Sequence, residues 1–332
     1  MSSKQKLMLS GAILFLAGFV FQIAIQSAMR PYAIDQFYFQ EWSSETMMQT
    51  VSIDDLYTNP LESLANIHIQ PPALDTIRAM LIHIWPAPHP DQRVRQIDFL
   101  LYRLWAVFYG LLGLVVFLWA CQLTDTRTAV IATLGFLLHP ACIAYATLLD
   151  STLVTALLIL VSYYLLWKLR HNHKVSIIWF TLAVLALFFT RSIFQSISIL
   201  VFVVSLVLIR TAKRKLLLFL FLAGGIAGLY TLKQYYQFGI LSTSSFTGLN
   251  LTRSIGVETQ VDYWTYLNSA DDRTTASTPL PSVLIRTTKA NGAVNFNHIA
   301  YLALNQRLIR AYQQALLTRS PSQLFASYAQ NL

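Results

Sequence analysis

The sequence predicts an all-α protein that crosses a membrane several times. Hydrophobic residues make up 55% of its 332 residues and charged residues only 12%, which is too apolar for an ordinary soluble domain. The apolar residues gather in long runs, and the basic residues lie in short clusters between those runs. Together these observations predict a polytopic membrane protein with about seven transmembrane helices.

Seven apolar segments are predicted to span the bilayer, because about 20 apolar residues are needed to cross it. The first is not interpreted as a signal peptide, since it is long enough to span and no small-residue cleavage pattern follows it. His139 and Pro140 are expected to interrupt the third, and a tight turn joins the third to the fourth. The predicted spans are residues 7–29, 99–121, 128–148, 150–168, 175–191, 194–209 and 215–232.

The formal net charge of +9 would also suit a nucleic-acid-binding protein. The basic residues form no continuous stripe, however, so we expect no nucleic-acid partner and interpret them as topology signals. The two cysteines, Cys121 and Cys142, lie in or at the end of apolar runs, which indicates neither a disulfide framework nor a cysteine-based metal site.

Counts of Lys and Arg give the predicted orientation, because short loops rich in these residues stay in the cytoplasm. Residues 30–98 carry nine acidic and four basic side chains, so this first large loop is placed outside, with the turns at Asp150 and Arg191 and the chain after Lys233. The cations placed on the cytoplasmic side, with the N-terminus, are Lys4, Lys6, Arg127, Lys168, Arg170, Lys174, Arg210, Lys213, Arg214 and Lys215.

The predicted organisation is a transmembrane domain over residues 1–232 and an extracytoplasmic segment over residues 233–332. Within the first loop, apolar residues at helical spacing over 74–85 predict an amphipathic helix lying on the membrane surface. The same spacing predicts a helix over 297–317. Another helix starts at Ser320-Pro321 and the chain ends within it, so we expect a truncated segment that leads to further spans.

Four charged side chains are predicted to meet at the outer face of the membrane. Asp35 follows the first span, Asp150 precedes the fourth, Arg191 ends the fifth, and Lys233 follows the seventh. Ionised groups near lipid are costly unless they are hydrated or paired, so their convergence indicates function. A carboxylate can act as general base on an acceptor while cations neutralise a departing phosphate. A lipid-phosphate sugar donor suits this place, because its tail lies in the bilayer and its head at the interface.

A structural role is the alternative at each of these positions. Asp150 could cap the fourth span, a role compatible with catalysis. Arg191 could extend to the headgroups as terminal arginines commonly do. Asp35 and Glu41 could be solvated loop residues.

The order of these features resembles the GT-C integral-membrane glycosyltransferases, in particular the protein O-mannosyltransferase and aminoarabinose transferase branch. The stretch "DQFYF", Asp35 to Phe39, is similar to the family's acidic outer-loop motif, with Gln36 where the family has a glutamate. The stretch "HIQPPALD", which begins at His68, is similar to the segment before the family's surface helix. In "HPACIAYATLLDSTLVTALLIL", Asp150 corresponds to the acid that opens the fourth span, and "FTRS" holds Arg191 where relatives often carry a phosphate-contacting basic residue.

The resemblance covers roughly residues 7–232. It implies an extracytoplasmic glycosyltransferase of the cell envelope, in a bacterial inner membrane or an equivalent one. The donor would be a polyprenyl-phosphate sugar and the acceptor a lipid, a glycan or a protein. Asp35 would be the base, Asp150 a second acid that orients the acceptor or a metal, and Arg191 with Lys233 would bind the donor phosphate. No cofactor is certain, and a divalent metal held by Asp35 and Asp150 stays an open alternative. The side chains expected to line the acceptor cavity are His68, Gln36, Tyr38 and Glu41.

Other functions stay open as alternatives. A polymerase or ligase of lipid-linked glycans would differ in using an oligosaccharide donor. A transporter or flippase would move the lipid-linked sugar without forming a covalent product, but the predicted spans carry no charges in their middles and no internal repeat is evident. A non-catalytic scaffold would tolerate neutralisation of both Asp35 and Asp150.

Overall fold

The computed structural model describes residues 3–29, 44–47, 49–87, 89–171, 176–194, 196–257 and 280–330. Regular structure within these ranges is helical apart from one isolated bridge between Thr288 and Val294. A π-helical turn, Leu220–Gly224, joins the helices Lys213–Phe219 and Gly225–Phe238. The α-helices are α1 (Ser3–Met29), α2 (Ile53–Thr58), α3 (Pro60–Ala65), α4 (Ala73–Ile84), α5 (Pro90–Leu123), α6 (Thr126–Leu137), α7 (Pro140–Thr147), α8 (Thr152–His171), α9 (Ile177–Thr190), α10 (Ser196–Leu208), α11 (Lys213–Phe219), α12 (Gly225–Phe238), α13 (Thr247–Ser254), α14 (Ser282–Ile285), α15 (Ala300–Thr318) and α16 (Pro321–Gln330).

Several helices are long and apolar enough to cross a membrane, as the composition predicts. In the described part of the chain there are four of them, Gln5–Ala28, Gln92–Leu123, Thr152–His171 and Lys213–Phe238. The bent pair α6 and α7 makes a fifth if it is one span. The predicted count of seven stays a prediction, because α9 and α10 have only 14 and 13 residues and a straight span needs about 20.

The chain divides into two compact units, which are described separately. The first unit comprises Met1–Met47 and Met80–Ala227, and the second comprises Met48–Ala79 and Gly228–Leu332. The sequence predicts a division after residue 232 and assigns residues 48–79 to the transmembrane domain. The structure groups residues 48–79 with the C-terminal segment instead, because the two are hydrogen-bonded to each other over long separations in sequence.

Helices α1 and α5 of the first unit cross at a contact formed by glycines. A Cβ placed on Gly18 would lie 3.3 Å from the Cα of Gly110, and a Cβ on Gly110 would lie 2.7 Å from the carbonyl oxygen of Phe15. Small residues let the backbones of membrane helices approach closely, which increases their van der Waals contact. A side chain at position 110 would therefore force these two helices apart.

The predicted interruption of the third span at His139 and Pro140 is confirmed, since α6 and α7 meet at 56°. The N–H of Ala141 donates to His139 Nδ1 at 3.2 Å, and the carbonyl of Leu137 accepts a hydrogen bond from the Tyr109 hydroxyl. The polar groups at this break are thus bonded within the first unit. A bilayer requires this, because it offers no water to exposed backbone groups.

The C-terminal helices of the first unit pack through aromatic rings. Phe180 of α9 lies 5.5 Å from Phe202 of α10 and 5.4 Å from Phe219 of α11, measured between ring centroids. All three side chains are buried. Because α8, α9, α10 and α11 follow one another as packed helices joined by short connections, α8 ends and α11 begins at the same end of the unit.

The second unit is built around the contact of α13 with α15. The N–H of Gly248 donates to Asn305 Oδ1 at 2.8 Å, and a Cβ at position 248 would lie 2.6 Å from that oxygen. The helix predicted over 297–317 is present, but it begins at Ala300. The helix predicted over 74–85 is present as α4, and its Asp75 and Arg78 are buried while Met80 is exposed.

Candidate functional site

A carboxylate, a hydroxyl and a guanidinium are joined at one end of the first unit. Asp150 accepts hydrogen bonds from the N–H of Thr152 at 2.9 Å and from the Thr152 hydroxyl at 2.6 Å. The same hydroxyl accepts a hydrogen bond from Arg191 Nη1 at 2.9 Å. These three residues, named here the α8 cluster, bring together two of the four charged side chains that the sequence predicts at one face.

Local structure explains how the α8 cluster forms. Thr152 is the first residue of α8, and Arg191 directly follows the last residue of α9. The two helices pack against each other in opposite directions, so the start of one lies beside the end of the other. Asp150 satisfies a free N–H at the start of α8, which is the capping role that the sequence allows.

The α8 cluster has the donors needed to bind an anion. A guanidinium carries five N–H donors, and Arg191 uses Nη1 on the Thr152 hydroxyl while its side chain stays half-buried. The remaining donors can form charge-assisted bonds, which are the strong ones with phosphate. The start of the 20-residue α8 adds the positive end of a helix dipole.

In the second unit, His68 occupies a buried position between backbone segments. The backbone N–H of His68 donates to Asn297 Oδ1 at 2.8 Å. The ring nitrogen Nδ1 lies 2.8 Å from the Ser245 hydroxyl, and the ring meets that of Phe238 edge-on, with 5.2 Å between the centroids. Burial lowers the pKa of His68 to about 3, and the positive charge of Lys233 acts in the same direction, although hydrogen bonding to Asn297 opposes it. His68 is therefore a neutral hydrogen-bonding group at physiological pH.

Lys233 lies among aromatic rings near His68. Its Nζ is 5.2 Å from the centroid of Phe238 and 5.5 Å from that of Tyr230, which are cation–π distances. The next residue, Gln234, donates to the carbonyl of Ile67 at 3.0 Å and so ties α12 to the His68 segment. The Lys233 side chain therefore lies on a helix that is hydrogen-bonded to the segment before His68.

In the segments around His68 and Lys233, four buried polar side-chain atoms have no hydrogen-bond partner within the described ranges. They belong to residues 67–70, to α12 and to the segment that follows α12, and these segments are bonded to one another. Such atoms keep the capacity to bind hydroxyl groups or water. The four atoms, named here the His68 cluster, are His68 Nε2, Gln70 Nε2, Gln234 Oε1 and Thr243 Oγ1.

The predicted site residues are therefore distributed over both units. Asp150 and Arg191 belong to the first unit, where the structure joins them through Thr152. His68 and Lys233 belong to the second. The other predicted site residues lie outside the described residues; they are Asp35, Gln36, Tyr38 and Glu41.

Sequence reasoning missed the polar side chains that organise the second unit. Asn297 accepts from the N–H groups of His68 and Ile69 at 2.8 and 3.1 Å and donates to the carbonyl of Asn66 at 3.0 Å. Asn295 donates to the carbonyls of Val283 and Arg286 at 3.0 and 2.8 Å. The pattern Asn-Phe-Asn-His in a loop is a weak signal for this role, since asparagine often bonds backbone groups in turns.

A buried ion pair is the second feature that the sequence reasoning missed. Arg78 Nη1 lies 2.7 Å from Asp75 Oδ1, and both side chains are fully buried. Arg78 also donates to the carbonyl of Val51 at 2.8 Å, and Lys289 donates to the Thr50 hydroxyl at 3.0 Å. The signal for this pair is the i, i+3 spacing of Asp75 and Arg78 on the predicted amphipathic helix.

Within the described ranges no group of three or more His, Cys, Asp or Glu side chains could hold a metal ion. Asp35 lies outside those ranges, so a metal held by Asp35 and Asp150 stays a prediction. Comparison with family models, with curated proteins and with solved structures gave no match to this chain.

Proposed function

We propose that the protein is a membrane glycosyltransferase that moves a sugar from a polyprenyl-phosphate donor to an acceptor at the extracytoplasmic face. The observation that supports this most directly is the α8 cluster, in which a half-buried arginine and a carboxylate are held by one threonine hydroxyl. A phosphate leaving group needs cationic donors beside it, and an acceptor needs a carboxylate to take its proton.

In this proposal Arg191 binds the donor phosphate and Asp150 orients the acceptor. Asp35 acts as the general base, a role that depends on the resemblance of "DQFYF" to the acidic motif of GT-C enzymes. His68 is fully buried and neutral, so its place near the acceptor depends on the resemblance of "HIQPPALD" alone.

The test is transfer of radiolabelled sugar from a polyprenyl-phosphate donor by the full chain reconstituted in liposomes. Asp35→Asn should abolish transfer while the protein still inserts and folds normally, because the amide cannot accept the proton. Glu62→Gln, at an exposed acid of the same predicted loop, is the matched control and should retain transfer. Full activity of Asp35→Asn would remove Asp35 from the mechanism.

A transporter of a lipid-linked sugar is the second candidate, and the broken pair α6 and α7 favours it. Discontinuous helices form substrate sites in many transporters. Here the carbonyl of Leu137 is occupied by Tyr109 and the N–H of Ala141 by His139, so the break offers few groups to a substrate. Movement of the lipid-linked sugar across liposomes without a covalent product would support transport over transfer.

A further inference from the structure

One end of the first unit carries a dense group of cations, named here the basic end. Lys168 and Arg170 lie in the last turn of α8, Arg210 follows α10, and three more cations open α11. The end of α9 bonds to the start of α8 through Arg191 and Thr152, so α8 ends beside the start of α9, where Phe180 contacts Phe219 of α11. The members of the basic end are Lys168, Arg170, Arg210, Lys213, Arg214 and Lys215.

The stretch of sequence that contains the basic end is rich in cations and has no acids. From Ser151 to Val257 the sequence has no Asp or Glu, and it has ten Lys or Arg residues. Asp125, an acid predicted on the same side, is bonded to the N–H groups of Arg127 and Thr128 at the start of its own helix. The first turn of α11 contains three cations and no acid, so the positive end of the helix dipole adds to their potential rather than offsetting it.

An unusual backbone conformation places one of these cations. The N–H of Thr211 donates to the carbonyl of Leu206 at 3.0 Å and the N–H of Arg210 to the carbonyl of Val207 at 2.9 Å, which is a Schellman motif. Arg210 occupies its left-handed position, with a φ of 55°. Glycine is the usual residue there because a Cβ is disfavoured in that conformation. An arginine at such a position suggests a function for the guanidinium.

Aromatic side chains mark the depth at which the basic end would meet a bilayer. Lys168 Nζ lies 5.4 Å from the ring centroid of Tyr164 and 5.7 Å from that of Trp167. Trp179, near the start of α9 at the same end, is 65% exposed. Trp and Tyr concentrate at the level of the headgroups, so these cations face lipid phosphates rather than the hydrocarbon.

We infer that the turn from Arg210 to Lys215 binds the phosphate of an anionic phospholipid in the adjacent leaflet. An exposed Lys and Arg cluster next to a membrane span attracts anionic headgroups, and each cation contributes about 1 kcal/mol near the surface. The guanidinium of Arg210 supplies the planar pair of donors that matches a phosphate. This inference concerns a face other than the α8 cluster and does not depend on glycosyl transfer.

The test is a lipid titration of the purified full chain in detergent, with bound lipid counted by native mass spectrometry. Wild-type protein should retain phosphatidylglycerol in preference to phosphatidylcholine. The K213Q/R214Q variant should bind phosphatidylglycerol roughly 30-fold more weakly, the change expected for two cations at an anionic surface, with its binding of phosphatidylcholine unchanged. R210G should also lose affinity without loss of folding, because glycine adopts the left-handed conformation freely.

R253Q/R310Q is the matched control, because it removes the same net charge from two exposed arginines outside the basic end. It should retain phosphatidylglycerol as the wild type does. Equal retention of both lipids by the wild type, or an equal loss in the two double variants, would overturn the proposal. Displacement of phosphatidylglycerol by inorganic phosphate at the same concentration would show a site for free anions, and would also overturn it.

Discussion

Arg191 donates a hydrogen bond to the hydroxyl of Thr152 at 2.9 Å, across 39 residues of sequence. Because Thr152 also donates to Asp150, one hydroxyl group fixes both a cation and a carboxylate. Thr152→Val should therefore reduce glycosyl transfer by roughly 10- to 100-fold, the effect of losing a hydrogen bond to a charged group. The test is to measure sugar transfer by the reconstituted Thr152→Val protein and, separately, its binding of the donor.

Thr155 provides the control for that substitution. It lies one turn further along α8, and its buried hydroxyl has no partner in the part of the chain that the structure describes. Thr155→Val should leave transfer unchanged and the stability unchanged or slightly raised, because no hydrogen bond is lost. An equal loss of transfer in both variants would attribute the effect to α8 packing instead of to the orientation of Arg191.

Gly110→Ala should destabilise the first unit. The added Cβ would lie 2.7 Å from the carbonyl oxygen of Phe15, and overpacking of this kind costs about 1–3 kcal/mol. Gly135→Ala is the control, because no atom lies within 4 Å of its added Cβ and alanine favours a helix. Thermal unfolding in detergent should show a lower midpoint for Gly110→Ala alone.

Asn297→Ala should destabilise the second unit by several kcal/mol. It removes the acceptor from the buried N–H groups of His68 and Ile69, and each unsatisfied group costs about 1–3 kcal/mol. Asn291→Ala removes only a solvent-exposed bond, from the N–H of Ala293 to Asn291 Oδ1 at 3.1 Å, so its effect should stay at about 1 kcal/mol or less. Limited proteolysis of the second unit distinguishes the two variants, and similar protection would contradict the role given to Asn297.

The stability of the second unit should fall in acid because of His68. Burial lowers the pKa of His68 in the folded state to about 3, so the unfolded state takes up the proton first, near the ordinary histidine pKa of 6.5. Its contribution is complete above about pH 6.5 and is lost as the pH falls toward 3, by up to about 1.4 kcal/mol for each pH unit. His68→Gln should flatten this slope in denaturation measurements, whereas His83→Gln, at an exposed histidine, should not change it.

His298 is a second buried histidine of the same unit. The comparison therefore depends on the difference in slope between the two histidine variants rather than on the slope of the wild type. An unchanged slope in His68→Gln would show that another group controls acid unfolding.

Several helices and the break between α6 and α7 could be predicted from local sequence patterns. Apolar run length and helical spacing are local properties, and they predicted α1, α4, α8 and α15 to within a few residues. Pro140 predicted the break because proline lacks the N–H that a continuous helix needs.

The contacts between polar side chains depend instead on how distant segments of the chain fold together. Asn297 bonds His68 across 229 residues, and Asp75 is buried against Arg78 although the helical pattern places both on a solvated face. The hydrophobic pattern cannot predict such contacts. A buried polar group is stable only when specific partners from distant segments satisfy it, and that requirement becomes visible only once the chain has folded.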